Sequence, residues 1–352
     1  MSEKVLMKGN EAIAEAAMRA GCRHFFGYPI TPQTEISAYM AKRMPKIGGT
    51  FLQAESEVSA INMVYGAAGA GARVMTSSSS PGISLKQEGL SYIAACDLPC
   101  VVVNMVRGGP GLGGIQPAQS DYFQATKGGG HGDYHLIVLA PNSVQEMVSL
   151  TVDAFNLADE YRNPVMILGD GTLGQMMEPV VFPDEVEKTK SEKTWATVGT
   201  EKKRKHNVIN SLYMSPEELE ATVFERQKKY DKIEKDEQRY EAFNLEDAEI
   251  VLTAYGTTSR IAQTVMNELR EQGYKIGLIR PITLYPFPKD IFEQTAKTAK
   301  AFLSVEMSMG QMVEDVKLAV NGKADVHFFG RTGGIIPTPN EIINKVKEIA
   351  GE

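Results

Sequence analysis

Cysteine is almost missing from this chain: Cys22, Cys96 and Cys100 are the only three in 352 residues. So sparse and odd a set is no disulfide framework, which points to a reducing, cytoplasmic setting. No Cys-rich run could ligate an iron–sulfur cluster, so carriers of that kind would have to sit on another polypeptide. Long apolar runs are absent as well. The opening MSEKVLMKGNEAIAEAAMRA carries Glu3 and Glu11 and has no apolar core of signal-peptide length, and nothing later approaches a membrane span. The net charge is only −7, from 37 basic and 44 acidic side chains, which gives no reason to expect nucleic acid or an anionic membrane as a partner. The five histidines lack metal-ligand spacing, and His131 and His135 stand among glycines that suit a loop.

What is present is an alternation of short apolar segments with helical patterns. Strands are expected at Arg23–Tyr28, Thr50–Gln53, Arg73–Thr76, Pro99–Val106, Leu136–Leu139 and Pro164–Leu168. A helix over Asn10–Ala20 stops at Gly21, and another is expected to start at Thr31-Pro32, with Thr as N-cap and Pro in the first turn. Such alternation implies an α/β fold with a mainly parallel sheet covered on both faces, whose ligands bind beyond the carboxyl ends of the strands. After Glu178 the chain becomes strongly charged, as a solvated crossing segment would be. A long helix is expected over Pro216–Phe243; its thin stripe of Leu219, Val223, Tyr230, Ile233 and Tyr240 suits the surface of a domain or a subunit joint. Strands at Ile250–Tyr255, Ile276–Ile279, Ala301–Val305 and Asp325–Phe328 then alternate with helices in a second unit. The reading is two doubly wound domains, 1–180 and 246–352, joined by a connector over 181–245.

Three strand-end loops carry possible chemistry. GYPITPQTE, Gly27–Glu35, is explained blandly by a helix start. In QAESEVSAINMVYGAAGAGAR, Glu57 precedes Ala60 by three residues and Gly66 by nine; the plain alternative is an acid in a first helical turn, stabilised by the dipole by roughly 0.3–1 kcal/mol. The small residues beyond it require a close neighbour, which could be the sheet itself. In NMVRGGPGLGGIQPAQSD, Asn104–Asp121, Arg107 leaves an apolar strand into a glycine-rich loop, where a guanidinium can meet a carboxylate in bidentate fashion.

Together these loops resemble the pyrimidine-binding domain of thiamine-diphosphate enzymes, specifically the 2-oxoacid:ferredoxin oxidoreductase family. YPITP matches that family's signature, and the spacing of Glu57, Ala60 and Gly66 is similar to the thiamine-activating glutamate motif, favouring Glu57 over the neighbouring Glu55. The resemblance covers essentially the whole chain, implying a thiamine-pyrimidine-binding domain followed by a transketolase C-terminal-like domain. GGPGLGG, AQSD and the long insert look most like the branched-chain, 2-oxoisovalerate members. The family implies that Glu57 is the acid/base partner of the cofactor, that Thr31 and Arg107 contact the 2-oxoacid, and that the backbone of Tyr28, Pro29 and Ile30 lines the pyrimidine pocket. Ile30 and Met105 would flank a branched side chain. Thiamine diphosphate would be bound here by its pyrimidine half, with Mg²⁺ and iron–sulfur clusters on partners and coenzyme A as co-substrate. The expected partners are a diphosphate-binding β subunit, a ferredoxin-like iron–sulfur subunit and ferredoxin, arranged as a dimer of heteromers.

Some features resist a functional reading. Leu168-Gly169-Asp170-Gly171 begins like a diphosphate and Mg²⁺ motif, but the Asn such a motif needs is missing from Trp195–Gly199. It reads as a strand-end turn running straight into the charged connector, so no metal ligand is assigned. Lys202-Lys203-Arg204-Lys205 could meet a coenzyme A phosphate, yet charge runs are mostly solvated faces. Glu306-Met307-Ser308 serves equally well as a connector. Competing functions are a 2-oxoglutarate or pyruvate enzyme of the same family, a dehydrogenase or transketolase-like thiamine subunit, and a non-catalytic CoA- or nucleotide-binding scaffold. YPITP argues against the thiamine alternative outside the family, and the missing G-x-G-x-x-G after the first strand against the scaffold.

Overall fold

The computed structural model describes residues 4–183 and 192–351, so part of the expected charged crossing, 184–191, lies outside the described residues. The chain opens with β1 (Lys4–Lys8) and α1 (Gly9–Arg19). It continues through β2 (His24–Gly27), α2 (Thr34–Arg43), β3 (Thr50–Gln53), α3 (Glu57–Gly69) and β4 (Val74–Ser78). Then come α4 (Ser80–Ala95), β5 (Cys100–Val106), α5 (Tyr122–Thr126), β6 (Ile137–Leu139), α6 (Val144–Tyr161) and β7 (Pro164–Asp170). Strands β2 to β7 form a parallel sheet ordered β6-β7-β5-β4-β2-β3, its central strands buried on both faces and β3 largely exposed at one edge. All seven residues of β5 and of β7 are buried, as central strands of a two-sided sheet must be.

The expected plunge from Asp170 into the connector does not occur. Asp170 caps a short helix, α7 (Gly171–Gln175), and β8 (Met177–Val181) returns antiparallel to β1. The long helix is shorter than its polar pattern suggested: α8 (Pro216–Asp236) ends, and β9 (Tyr240–Phe243) follows as an antiparallel edge strand. Ser215 caps α8 through a bond from Glu218 N. Of the expected stripe Tyr230 and Ile233 are buried, while Leu219 is exposed and Tyr240 lies on the strand. The helix lies across the first unit: Lys229 pairs with Asp97 at 2.6 Å and Tyr230 meets the His135 ring edge-on.

The second sheet contains β10 (Ile250–Thr253), β11 (Ile276–Pro281), β13 (Ala301–Glu306) and β14 (Asp325–Gly330), ordered β14-β13-β10-β11-β9. Its helices are α9 (Gly256–Glu271), α10 (Lys289–Thr295), α11 (Met312–Val320) and α12 (Pro339–Ala350). Alternation decides which face each residue serves: Val251 and Phe302 join the core shared with the first unit, whereas Leu252 and Leu303 pack in a separate core with Ile342 and Val346 of α12. The units also interlock, because β12 (Thr283–Tyr285) adds antiparallel to β6 of the first sheet. The buried guanidinium of Arg280 on β11 grips Glu146 of α6 with two bonds of 2.7 Å, a geometry suited to its planar fork. Among the described residues no helix is long and apolar enough to cross a membrane.

Candidate functional site

In the first sheet β2 and β4 are neighbours, yet the chain leaving β2 turns to β3 on one side and the chain leaving β4 turns to β5 on the other. Loops that diverge from adjacent strands leave a crevice at the carboxyl edge, the usual ligand position in such sheets. Three segments border it: 28–33 after β2, the start of α3 after β3, and 78–82 after β4. The glycine-rich loop after β5 closes one side.

The segment after β2 does not begin a helix at Thr31. Its neighbour Gln33 is buried instead, accepting from Ser77 Oγ at 2.6 Å and donating to the Tyr28 carbonyl at 3.1 Å. Gln33 N closes a turn on the Ile30 carbonyl, and Asn10 Nδ2 reaches the Pro32 carbonyl at 2.8 Å. Holding Gln33 inward fixes 30–33 as a turn, so α2 starts only at Thr34. Tyr28, Pro29 and Ile30 remain partly exposed along the crevice, and Thr31 presents its side chain to solvent.

Arg107 is buried, with Nη1 donating to the Thr31 carbonyl at 3.0 Å and Nη2 to the Leu112 carbonyl at 3.2 Å. Its Nε has no partner among the described residues. The residue is anchored from behind as well, since Ser80 Oγ exchanges bonds with its backbone N and O. Ser80 N in turn donates to Asn104 Oδ1, and Asn104 Nδ2 donates to Asp121 at 2.9 Å. Burial pushes the Asp121 carboxyl above its ordinary value, against the pull of its bonds from Ser80 and Asn104. Met105, one residue along β5, faces away: its side chain packs against Gly169 and Gly174, so it does not flank the crevice as expected.

Glu57 is the first residue of α3, whose start is capped by Ser56 Oγ accepting from Ser59 N. The residue is 5% exposed, and among the described residues nothing donates a hydrogen bond to its carboxylate. Glu55, the competing acid, is exposed and takes the Ser59 hydroxyl. Across the crevice Gly82 of α4 leaves room, because a Cβ there would stand 2.6 Å from Glu57 Oε1 and closer still to Ser78 Oγ. The Ser78 and Ser79 hydroxyls are buried without partners among the described residues. Beneath them Lys86, wholly buried, donates to Thr76 Oγ1 at 2.9 Å. Burial lowers its ammonium to about 8, with the negative charge of Glu57 opposing the shift. Of the small residues on α3, Ala60 and Ala68 are buried and Ile61 presses on Gly89 of α4; a Cβ at Gly66 would meet nothing.

Ser78, Ser79, Gly82 and Lys86 were not singled out in the sequence reading. The run TSSSSPG was the available signal: five hydroxyl residues at a strand's end followed by a helix-starting proline.

The other candidates serve structure. Asp170 accepts from Thr172 N, Leu173 N and, across the unit boundary, Thr257 Oγ1 at 2.6 Å; burial nonetheless raises its carboxyl above the ordinary value. Glu306 is wholly buried and accepts from Ser304, Ser308 and the backbone N of Gln311, Met312 and Val313, which satisfies the start of α11. The crevice of the second sheet, between the loops after β10 and β13, is filled by Gln119: it bonds the Tyr255 carbonyl, Thr258 Oγ1 and both the N and O of Met307. Lys203 pairs with exposed Glu201, and Arg204 bonds nearby carbonyls. His135 stacks on Tyr285 while His131 meets Tyr92, and no cluster of potential metal ligands occurs among the described residues.

Residues 15–251 match the family described as pyruvate flavodoxin/ferredoxin oxidoreductase, thiamine-diphosphate-binding, and residues 248–342 match pyruvate:ferredoxin oxidoreductase core domain II. This chain belongs to the 2-oxoacid:ferredoxin oxidoreductase family. Relatives named ketoisovalerate oxidoreductase subunit VorB, from Methanothermobacter marburgensis and Methanothermobacter thermautotrophicus, are 52% and 50% identical over 99% of this chain and 98% of their own length. A relative named 2-oxoglutarate synthase subunit KorA, from Methanothermobacter marburgensis, is 37% identical over 98% of this chain and 99% of its own. The solved structure of 2-oxoglutarate:ferredoxin oxidoreductase from Magnetococcus marinus, with 2-oxoglutarate, coenzyme A and succinyl-CoA bound, superposes with a TM-score of 0.89 at 29% identity. That match covers 99% of this chain and 65% of the solved one. The ketoisovalerate and 2-oxoglutarate relatives are themselves named as subunits.

The crevice suits the pyrimidine half of thiamine diphosphate. The buried residue Glu57, whose carboxylate takes no hydrogen bond among the described residues, the two orphaned hydroxyls and a glycine where a side chain would intrude leave acceptors and donors for a flat polar ring.

Proposed function

We propose that this chain supplies Glu57 as the acid/base partner of the cofactor in oxidative decarboxylation of a 2-oxoacid to its acyl-CoA, with ferredoxin as electron acceptor. The supporting observation is the unbonded, buried Glu57 carboxylate at the switch-point crevice. When bound, the cofactor supplies the carbon nucleophile and electron sink that decarboxylation needs. Glu57 holds a proton shared with the pyrimidine N1′, a task for an acid kept from water but free of competing donors. Ser78 and Ser79 offer hydroxyls beside it, and the backbone of Tyr28, Pro29 and Ile30 forms the opposite wall. Arg107, through its free Nε, and Thr31, through its exposed hydroxyl, hold the 2-oxoacid at the carboxylate and carbonyl ends.

Our reading of the substrate is 2-oxoisovalerate. Identity of 50–52% to the two ketoisovalerate subunits, against 37% to a 2-oxoglutarate one, supports it. The diphosphate and its Mg²⁺ belong to a β subunit in this account, because Asp170, the candidate for that role, is spent on capping α7 and bonding Thr257. The iron–sulfur clusters belong to a ferredoxin-like subunit, since all three cysteines here are buried. We place the subunits in a dimer of heteromers. Co-purified complex assayed for viologen reduction with 2-oxoisovalerate, 2-oxoglutarate and pyruvate tests the reading: the highest kcat/KM is expected with 2-oxoisovalerate, and preference for either of the others would overturn the substrate assignment.

A further inference from the structure

We infer that Lys86 is the counter-ion of Glu57, a positioning residue that balances the carboxylate's charge from one layer beneath the crevice. The inference rests on the role of Glu57 proposed above. Gly82 and Lys86 are four residues apart on α4 and share a face, while Thr76 and Ser78 share a face of β4. Gly82 faces both the Glu57 carboxylate and Ser78, and Lys86 donates to Thr76. The ammonium therefore lies one layer beneath the crevice, below Glu57.

Each member of the pair is otherwise poorly compensated. Lys86 has three protons to donate and one hydrogen-bond acceptor, a neutral hydroxyl. No carboxylate lies within ion-pair distance of it among the described residues, and Glu57 is the one charged group that acts on it. Other charges on and around α4 are engaged elsewhere: Glu88 with Tyr92, Glu55 with Ser59, Asp121 with Asn104, Arg107 with two carbonyls, Asp170 with Thr257. Glu57, likewise buried, receives no hydrogen bond among the described residues. An isolated buried charge is strongly disfavoured, and two opposite ones without direct contact still stabilise one another where little water screens them. That they do not touch matters for the chemistry. A direct salt bridge would tie up the carboxylate oxygens, whereas a counter-ion one layer down leaves them open to the cofactor.

The plainer alternative is that Lys86 only pins α4 to β4 through Thr76. Two measurements separate the readings: Tm of the full chain without cofactor between pH 5 and 9, and the pH profile of viologen reduction in the assembled complex. Both use Lys86→Met and Lys86→Arg, with and without Glu57→Gln. In Lys86→Met a buried carboxylate charge would stand without its counter-ion, so the variant should lose more stability at neutral than at acid pH, and the Tm deficit should grow from pH 5 to 8. Adding Glu57→Gln should return part of that deficit. The acidic limb of kcat/KM should move up by about one pH unit in Lys86→Met, with KM for the 2-oxoacid changed less than about two-fold. Lys86→Arg should leave the limb in place. Should Lys86→Met fail to fold, Lys86→Gln, which can keep the bond to Thr76, carries the same test. Additive Tm changes with an unmoved limb would overturn the inference and leave Lys86 as a pin. Undiminished activity of Glu57→Gln alone would strike the catalytic reading beneath it, whatever the coupling.

Discussion

Glu57 and Gly82 face each other so closely that a methyl group on the glycine would stand 2.6 Å from the glutamate's Oε1. The φ of Gly82 is not in the left-handed region, so backbone freedom is not the reason for the glycine. Its missing side chain is what leaves the carboxylate room. Gly82→Ala should therefore displace Glu57, costing about 1–3 kcal/mol of stability, as overpacking does, and at least about ten-fold in kcat. Thermal unfolding and single-turnover assays of the complex check this; wild-type turnover in the variant would show that the crevice is wider than the structure implies.

Arg107 bridges two carbonyls that a lysine cannot span at once. In Arg107→Lys the Thr31 turn and the glycine-rich loop lose their common tie. KM for the 2-oxoacid should rise by about ten-fold or more, as loss of a charged hydrogen-bonding contact does, with circular dichroism unchanged. Steady-state kinetics with the oxoacid varied is the check.

Asp170 is a joint, and its removal should be felt as stability. Asp170→Ala loses a helix cap and the bond from Thr257, a cost of about 1–3 kcal/mol. Asp170→Asn keeps an acceptor and should be milder. Because burial raises the folded carboxyl above 3.8, its linkage contribution is present below that value and fades as pH rises through the raised one. The Tm of wild type relative to Asp170→Asn should accordingly fall between acid and neutral pH. The Mg²⁺ requirement of the complex should be the same in both.

The thiols should be silent in the native chain. Cys22 and Cys100 are buried and pushed up to about 12, and burial raises Cys96 too, where its sulfur meets the Tyr65 hydroxyl. A chromogenic disulfide reagent should find no fast-reacting thiol before unfolding and three after it.

The parallel sheets were legible because fully buried strands such as Pro99–Val106 leave unbroken apolar runs, and the expected strands fall within two residues of the observed ones. What escaped was short, polar or dictated from a distance. β1, β8, β9 and β12 are edge or bridging strands of three to five residues, with too little buried surface for a period to show. Thr31-Pro32 has every local mark of a helix start, and only the distant Ser77 hydroxyl, by holding Gln33 inward, reveals the turn. At the candidate site, Glu57 was singled out because its spacing to Ala60 and Gly66 resembles the thiamine-activating glutamate motif. Lys86 was not, because an i,i+4 relation to a glycine carries no signal until α4 is laid against α3.

The most direct test of the account is acyl-CoA formation by the assembled complex carrying Glu57→Gln, beside wild type. Glutamine keeps the shape and removes the proton-sharing acid, so the account predicts a loss of roughly 100-fold or more, the scale of a lost general acid/base, with assembly and Tm close to wild type. A loss of no more than a few-fold would contradict it.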